Sequence, residues 1–169
     1  MKNPMNVLVA IGLALGGVFG MAGTMVAERN LQASFWTIDA VGIIVATALL
    51  ALKFSRSGSE SVAAGFLVFA MGESVMLMGT ATTLEASVPS FAAGTALWSA
   101  GLLLTSVPKR FALWARATGI IASVLFAIAA GRIFWGEAVL PTSAPLPLLG
   151  YPFLVLTFAG WIWATLKSE

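Results

Sequence analysis

Phe66-Leu-Val-Phe-Ala-Met-Gly-Glu-Ser-Val-Met-Leu-Met-Gly-Thr80 is apolar enough to lie inside a bilayer, yet it carries an acid, Glu73, near its middle. A charged side chain at the bilayer centre costs about 2.5 to 3.5 kcal/mol on insertion scales. Something in the fold must compensate Glu73, so the rest of the chain is read as helices packed around it.

The whole composition agrees with that reading. Of 169 residues, 59% are hydrophobic and 9% charged, whereas soluble domains average about 25% charged. Outside the apolar runs there is no room for an independent soluble domain of 50 or more residues. Working outward from Glu73, the chain divides into apolar runs at about 7–27, 35–52, 61–82, 91–107, 111–133 and 148–166, each near the 20 residues that span a bilayer. The length of the first run favours a retained helix over a cleaved leader. The expected fold is all-α: a polytopic integral membrane protein, one domain over 1–169, with six helices in three antiparallel hairpins.

Charge placement sets the expected orientation. Lys2, Lys53, Arg56, Lys109, Arg110 and Lys167 fall on one side, with Arg116 nearby, and only Arg29 and Arg132 on the other. The positive-inside rule then places both termini in the cytoplasm, in a plasma membrane of the bacterial inner-membrane kind. The formal charge of +2 is spread over helix ends and not gathered on one face, so no nucleic-acid partner is expected. The expected surroundings are membrane lipid.

Absences exclude much chemistry. The chain has no Cys and no His, which removes the ligands of haem b, iron–sulfur, zinc and blue-copper sites and the Cys or His nucleophiles. No metal and no cofactor is expected. All four lysines sit at the edges of apolar runs, which leaves none for a retinal Schiff base. Asp39 is the only aspartate, so no aspartate dyad can form.

Glycine spacing is the second signal. Gly12, Gly16 and Gly20 recur every fourth residue, and Gly65, Gly72 and Gly79 every seventh. Such small-residue strips let backbones approach closely in lipid, either within the bundle or against a second copy or another membrane protein.

Four residues are candidates for an ion, proton or ligand site. Glu73 is the midplane acid; Asp39 lies about one turn inside the second run, which follows a polar turn of Glu28, Arg29, Asn30 and Gln32, and is expected to face a wet outer vestibule or the interface, or to act as an outer station for a cation or proton. Trp98 falls too deep for an interfacial belt and is expected to pack inside the bundle or line a cavity. Arg116 either snorkels toward headgroups or serves as an inner counter-charge, although ideal helices separate it from Glu73 by about 9 to 12 Å along the membrane normal. Trp36, Trp161 and Trp163 are expected in aromatic belts. Ser99, Thr95 and Thr105 are expected to bond back to their own helix carbonyls. The 132–147 segment, with three prolines, is expected to lie on the surface or fold over the bundle mouth as a lid.

Three functions fit these residues. The leading expectation is a non-catalytic accessory, interaction or assembly component, in which glycine faces seat another protein and Glu73 is a neutral acid bonded to a hydroxyl or carbonyl. The alternative is a small transporter or channel for an ion, proton or small molecule with Glu73 as its midplane site. A lipid-modifying enzyme using Glu73 as acid or base is poorly supported, since the chain has neither His nor a metal set. These readings separate on one observation: a cavity at Glu73 favours transport, and a dry, packed Glu73 favours the accessory role.

Overall fold

The computed structural model describes residues 3–167; Lys2, counted above on the basic side, lies outside them. Six helices occupy these residues: α1 (Pro4–Met25), α2 (Arg29–Arg56), α3 (Glu60–Thr80), α4 (Val88–Ser106), α5 (Leu113–Phe134) and α6 (Gly150–Lys167). There is no strand among the described residues. Five of the helices are long and apolar enough to cross a membrane. The sixth, of 18 residues, falls short of the others because Tyr151, Pro152, two tryptophans and Lys167 dilute its aliphatic residues.

Cap chemistry moves the helix starts from their expected places. Asn3 caps α1 by accepting from the Met5 amide, and Pro4 occupies the first turn, where its missing N–H costs nothing. Residues 28–32, expected as a polar turn, instead begin α2: the Glu28 carboxylate accepts from the Asn30 and Leu31 amides at 2.9 and 2.6 Å. That cap lengthens α2 to 28 residues. Asp39 is therefore ten residues from the helix start, about 15 Å deep along the axis.

Each helix packs against its sequence neighbours, and α6 closes onto α1, so the six form a ring. Glycine pairs set the closest approaches. A Cβ on Gly12 would stand 2.5 Å from the Gly42 carbonyl oxygen, and one on Gly42 would stand 2.7 Å from that of Gly12. Between α3 and α4 the seventh-residue stripes interlock: Gly65 faces Gly101, Gly72 faces Gly94, and Gly79 faces Ser87 and Ser90. Contact numbers rise along α1 (12, 16, 23) as they fall along α2 (42, 39, 36), and α3 and α4 run the same way.

The outside of the ring is apolar, with Leu8, Val18, Val41, Leu67, Met78, Val124 and Leu156 all exposed. An exterior of that kind matches a lipid surround and not water. Inside, aromatic rings fill the end that carries the α2–α3 and α4–α5 connections. Phe66 lies 4.7 Å from Trp161 and 5.6 Å from Phe54, centroid to centroid, with Phe111 completing the cluster. Trp161 is thus a core residue, 1% exposed, and not a belt residue. Trp163 does face outward, 59% exposed, with the Lys167 ammonium 5.7 Å from its ring.

Hydroxyls follow two patterns. Thr95 and Thr105 bond back to the Phe91 and Gly101 carbonyls as expected. Ser99 does not: its hydroxyl meets that of Ser123 at 3.1 Å, and Ser123 also donates to the Ser99 carbonyl, tying α4 to α5.

Two outcomes follow. A Cβ at Gly72 would lie 2.8 Å from the Gly94 carbonyl oxygen, so Gly72→Val is expected to destabilise the protein by about 1–3 kcal/mol. Gly131, whose nearest contact is the Trp135 ring at 3.7 Å, accepts Ala with a gain of about 0.5–1 kcal/mol; thermal unfolding in detergent compares the two. The amide bonds hold the exposed Glu28 carboxyl below its ordinary value of 4.5. Its cap is accordingly complete above that pH and is lost as pH falls through the lower folded value. Amide exchange at Asn30 and Leu31 should rise on acidification beyond the intrinsic rate, and the rise should vanish in Glu28→Gln.

Candidate functional site

The half of the ring opposite the aromatic fill is not closed. Between α1, α2, α3, α4 and α6 lies a partly enclosed cavity of about 80 Å³, with Asp39, Glu73, Trp98 and Tyr151 in its wall. It lies toward the end that carries the α1–α2, α3–α4 and α5–α6 connections. α5 contributes no lining residue. A wider surface depression of about 480 Å³, lined by Arg29, Gln32, Glu85 and Thr142 among others, shares Thr24 with the cavity.

Asp39 and Glu73 are placed in this cavity by different means. On α2, the long helix start carries Asp39 into the ring, where it is 7% exposed. It fits there because α1 presents no side chain: a Cβ on Gly20 would lie 2.9 Å from Asp39 Oδ2, and one on Gly16 would lie 3.2 Å from Oδ1. On α3, Glu73 adjoins the Gly72 contact with α4 and is 3% exposed. Asp39 is therefore no separate outer station. Asp39 and Glu73 line the same cavity.

Neither acid has a cationic partner. No ion pair among the described residues involves them, and Asp39 Oδ1 and Glu73 Oε2 are buried without a hydrogen bond. A charge held there must be balanced by a proton or by a cation.

Trp98, 5% exposed, stacks on Phe69 with centroids 5.2 Å apart and planes parallel to within 1°. Phe126 meets its other side edge-on at 5.2 Å. Held in this way, the indole Nε1 faces the Glu73 carboxyl within interaction range but outside hydrogen-bond geometry, and it too has no partner. Trp36, expected at a membrane belt, instead lies over Gly23 and lines the same cavity. Tyr151 donates to the Pro141 carbonyl at 2.8 Å, which fixes the α5–α6 connection at the cavity wall.

Arg116 does not join these residues. Its Nε and Nη2 each donate at 2.8 Å to the carbonyls of Ser106 and Val107, closing the C-terminal end of α4. Arg29 does the same for α3, donating to the Thr80 and Thr82 carbonyls at 3.2 and 2.5 Å. Both arginines are helix-end cations and leave the acids uncompensated.

The glycine candidates Gly12, Gly16, Gly20, Gly65, Gly72 and Gly79 all face neighbouring helices of the same chain. Sequence reading missed their reciprocal partners Gly42, Gly94 and Gly101. The seven-residue spacing of Gly94 and Gly101, matching that of Gly65 and Gly72, carries the signal for that pair. Tyr151 was also missed as a cavity residue. Among the described residues no group of three or more acids, His or Cys is placed to hold a metal ion. No family model matches the chain, and neither a curated protein nor a solved structure shows significant similarity to it.

Removing the helix-end bonds tests the placement of Arg116. Arg116→Ala is expected to lower stability by about 1–3 kcal/mol through two carbonyls left without a donor, and Arg116→Lys by less. Thermal unfolding of both variants in detergent measures this, and a loss below about 0.5 kcal/mol in Arg116→Ala would contradict the assignment.

Proposed function

We propose that the protein is a small membrane transporter that exchanges a cation for protons at the Asp39–Glu73 pair, with no catalytic step. One observation supports this above all: two buried carboxyls without a basic partner line one partly enclosed cavity between the helices. Intramembrane acids facing a bundle interior are functional candidates by default. A pair sharing one site is a place where a proton and a cation compete.

In this reading all six helices cross the bacterial inner membrane as three antiparallel hairpins. Lys53, Arg56, Lys109, Arg110 and Lys167 lie at the cytoplasmic end, with both termini, and the cavity opens to the outside. The weak apolarity of α6 is then that of a ring member whose Tyr151 and Thr157 face other helices and not lipid. The aromatic fill closes the cytoplasmic half, so the described state is open outward and shut inward. The accessory role leaned on glycine faces offered to another protein, and within this chain those faces are occupied by neighbouring helices.

Reconstituted vesicles test the proposal. The protein is placed in acid-loaded vesicles containing a pH-reporting dye, and sodium, potassium or tetramethylammonium chloride is added outside. Protein-containing vesicles should lose internal protons faster than empty ones for at least one cation. Glu73→Gln and Asp39→Asn should each slow this at least about tenfold, equivalent to about 1.4 kcal/mol, while Arg116→Ala retains it. Wild-type rates equal to those of empty vesicles for all three salts, or a Glu73→Gln rate equal to wild type, would refute the proposal.

A further inference from the structure

We infer that the cation taken by the Asp39–Glu73 cavity is a compact organic ammonium ion, methylated or short-chained, and not a bare metal ion. This rests on the transport reading above and narrows it to one class of ligand.

The cavity wall carries the inference. Beside the two carboxyls it presents five aromatic rings, those of Trp36, Phe91, Trp98, Tyr151 and Phe158. Ring faces attract ammonium groups, most strongly where the pair is removed from water, and Trp36 already carries the Arg29 guanidinium 5.8 Å from its ring centre. An inorganic cation stripped of water needs a shell of oxygen ligands, six to eight for a calcium ion. Beyond the carboxyls, the side-chain oxygens of this wall are the hydroxyls of Thr24, Thr80, Ser87, Ser90 and Tyr151, each tied by its proton to a main-chain carbonyl, and the rest of the lining is mostly carbon and sulfur. An alkylammonium ion brings its own apolar surface to meet the rings and needs only one or two acceptors for its charge.

The hydrogen-bonding inventory excludes the other classes. Wall hydroxyls have committed their protons: Thr24 to Met21, Thr80 to Leu77, Ser87 to Leu84 and Ser90 to Ser87, all at main-chain carbonyls. Tyr151 donates to Pro141. The buried unpaired side-chain atoms in this wall are two carboxyl oxygens and the Trp98 N–H. An anion would meet two acids and a single donor, and a sugar-like polyol would find almost no donors. At about 80 Å³ the cavity is far below the 300 Å³ at which drug-sized pockets begin, so the ligand is small.

Binding is coupled to protons because both ligands need the same oxygens. The titratable groups facing the pair are Asp39 from α2, Glu73 from α3 and Tyr151 from α6. α1 and α4 present glycine, methionine, hydroxyl and aromatic residues, and the α5–α6 connection presents Pro141. A cation entering therefore displaces a proton from the carboxyls, and apparent affinity rises with pH.

Calorimetric titration of the purified full chain in detergent provides the test, with three probes: tetramethylammonium chloride, sodium chloride and tert-butanol, a neutral molecule of similar shape. Saturable binding of tetramethylammonium alone is expected, tighter at pH 8 than at pH 6, with protons released in weak buffer. Glu73→Gln and Phe91→Leu should each weaken it at least about tenfold, and Phe91→Tyr, which keeps a ring, should restore most of the loss. Circular dichroism and gel filtration identify any variant that fails to fold, and Asp39→Asn then takes the place of Glu73→Gln. Binding of sodium as tight as that of tetramethylammonium overturns the inference and leaves cation transport standing. Equal binding of tert-butanol overturns it as well. No binding of any probe, together with vesicles that hold their acid load as empty ones do, removes both.

Discussion

Two carboxyl groups share one buried space without a basic side chain among its walls, and the rest of the molecule is arranged around that electrostatic demand. In a low-dielectric interior a lone carboxylate is tolerated only when paired, protonated or solvated. Arg29 and Arg116 lie nearer the helix ends, where they close the C-termini of α3 and α4. With Arg29 and Arg116 committed to carbonyls, neither neutralises Asp39 or Glu73. A structural role for either acid would call for the opposite, a partner built into the fold.

The six-membered ring makes such a space possible. Six helices packed side by side enclose more volume than their small side chains can fill, and the sequence treats the two halves differently. Toward one end, Phe54, Phe66, Phe111 and Trp161 close the interior with edge-on and stacked rings. Toward the other, α1 supplies glycines, and the volume left over becomes the cavity. Phe69, Trp98 and Phe158 form the boundary, so the same aromatic network is packing on one face and cavity wall on the other.

Much of this was legible in the sequence, for physical reasons that differ from part to part. Apolar runs of membrane length gave the helices, since hydrophobic length is nearly sufficient to specify a span. Glu73 stood out because an acid in such a run is costly. The start of α2 was misplaced by six residues because Glu28, Arg29 and Asn30 read as a turn by polarity, although a capping carboxylate followed by polar first-turn residues also begins a helix. That error made Asp39 look shallow and concealed its pairing with Glu73. Arg116 was left between two fates because a guanidinium with a long stem reaches either headgroups or main-chain carbonyls, and only the position of the α4 terminus decides between them. Trp36 and Trp161 were read as belt residues from their place near helix ends. Their neighbours across the ring, Gly23 and Phe66, lie in other helices and leave no local trace.

The glycine strip of α1 shows how packing and site are one design problem here. Gly12 serves backbone contact, its α-carbon against the Gly42 carbonyl and that of Gly42 against its own, in the manner of close helix pairs in lipid. One turn further, Gly16 faces the Ile43 side chain and the edge of the Asp39 carboxyl; at Gly20 the neighbour is the carboxyl itself, and at Gly23 it is the Trp36 indole. Helices held about one side chain apart by the first contact leave, along the same strip, room for an acid and an aromatic ring that would otherwise be forced outward to lipid. Alanine at Gly20 would conserve helix propensity and small size yet place a methyl group 2.9 Å from a carboxyl oxygen, so the requirement at that position comes from the acid opposite and not from helix approach. A small-residue strip in a membrane helix is therefore ambiguous from sequence alone, and what resolves it is the polarity of the residue that each glycine meets.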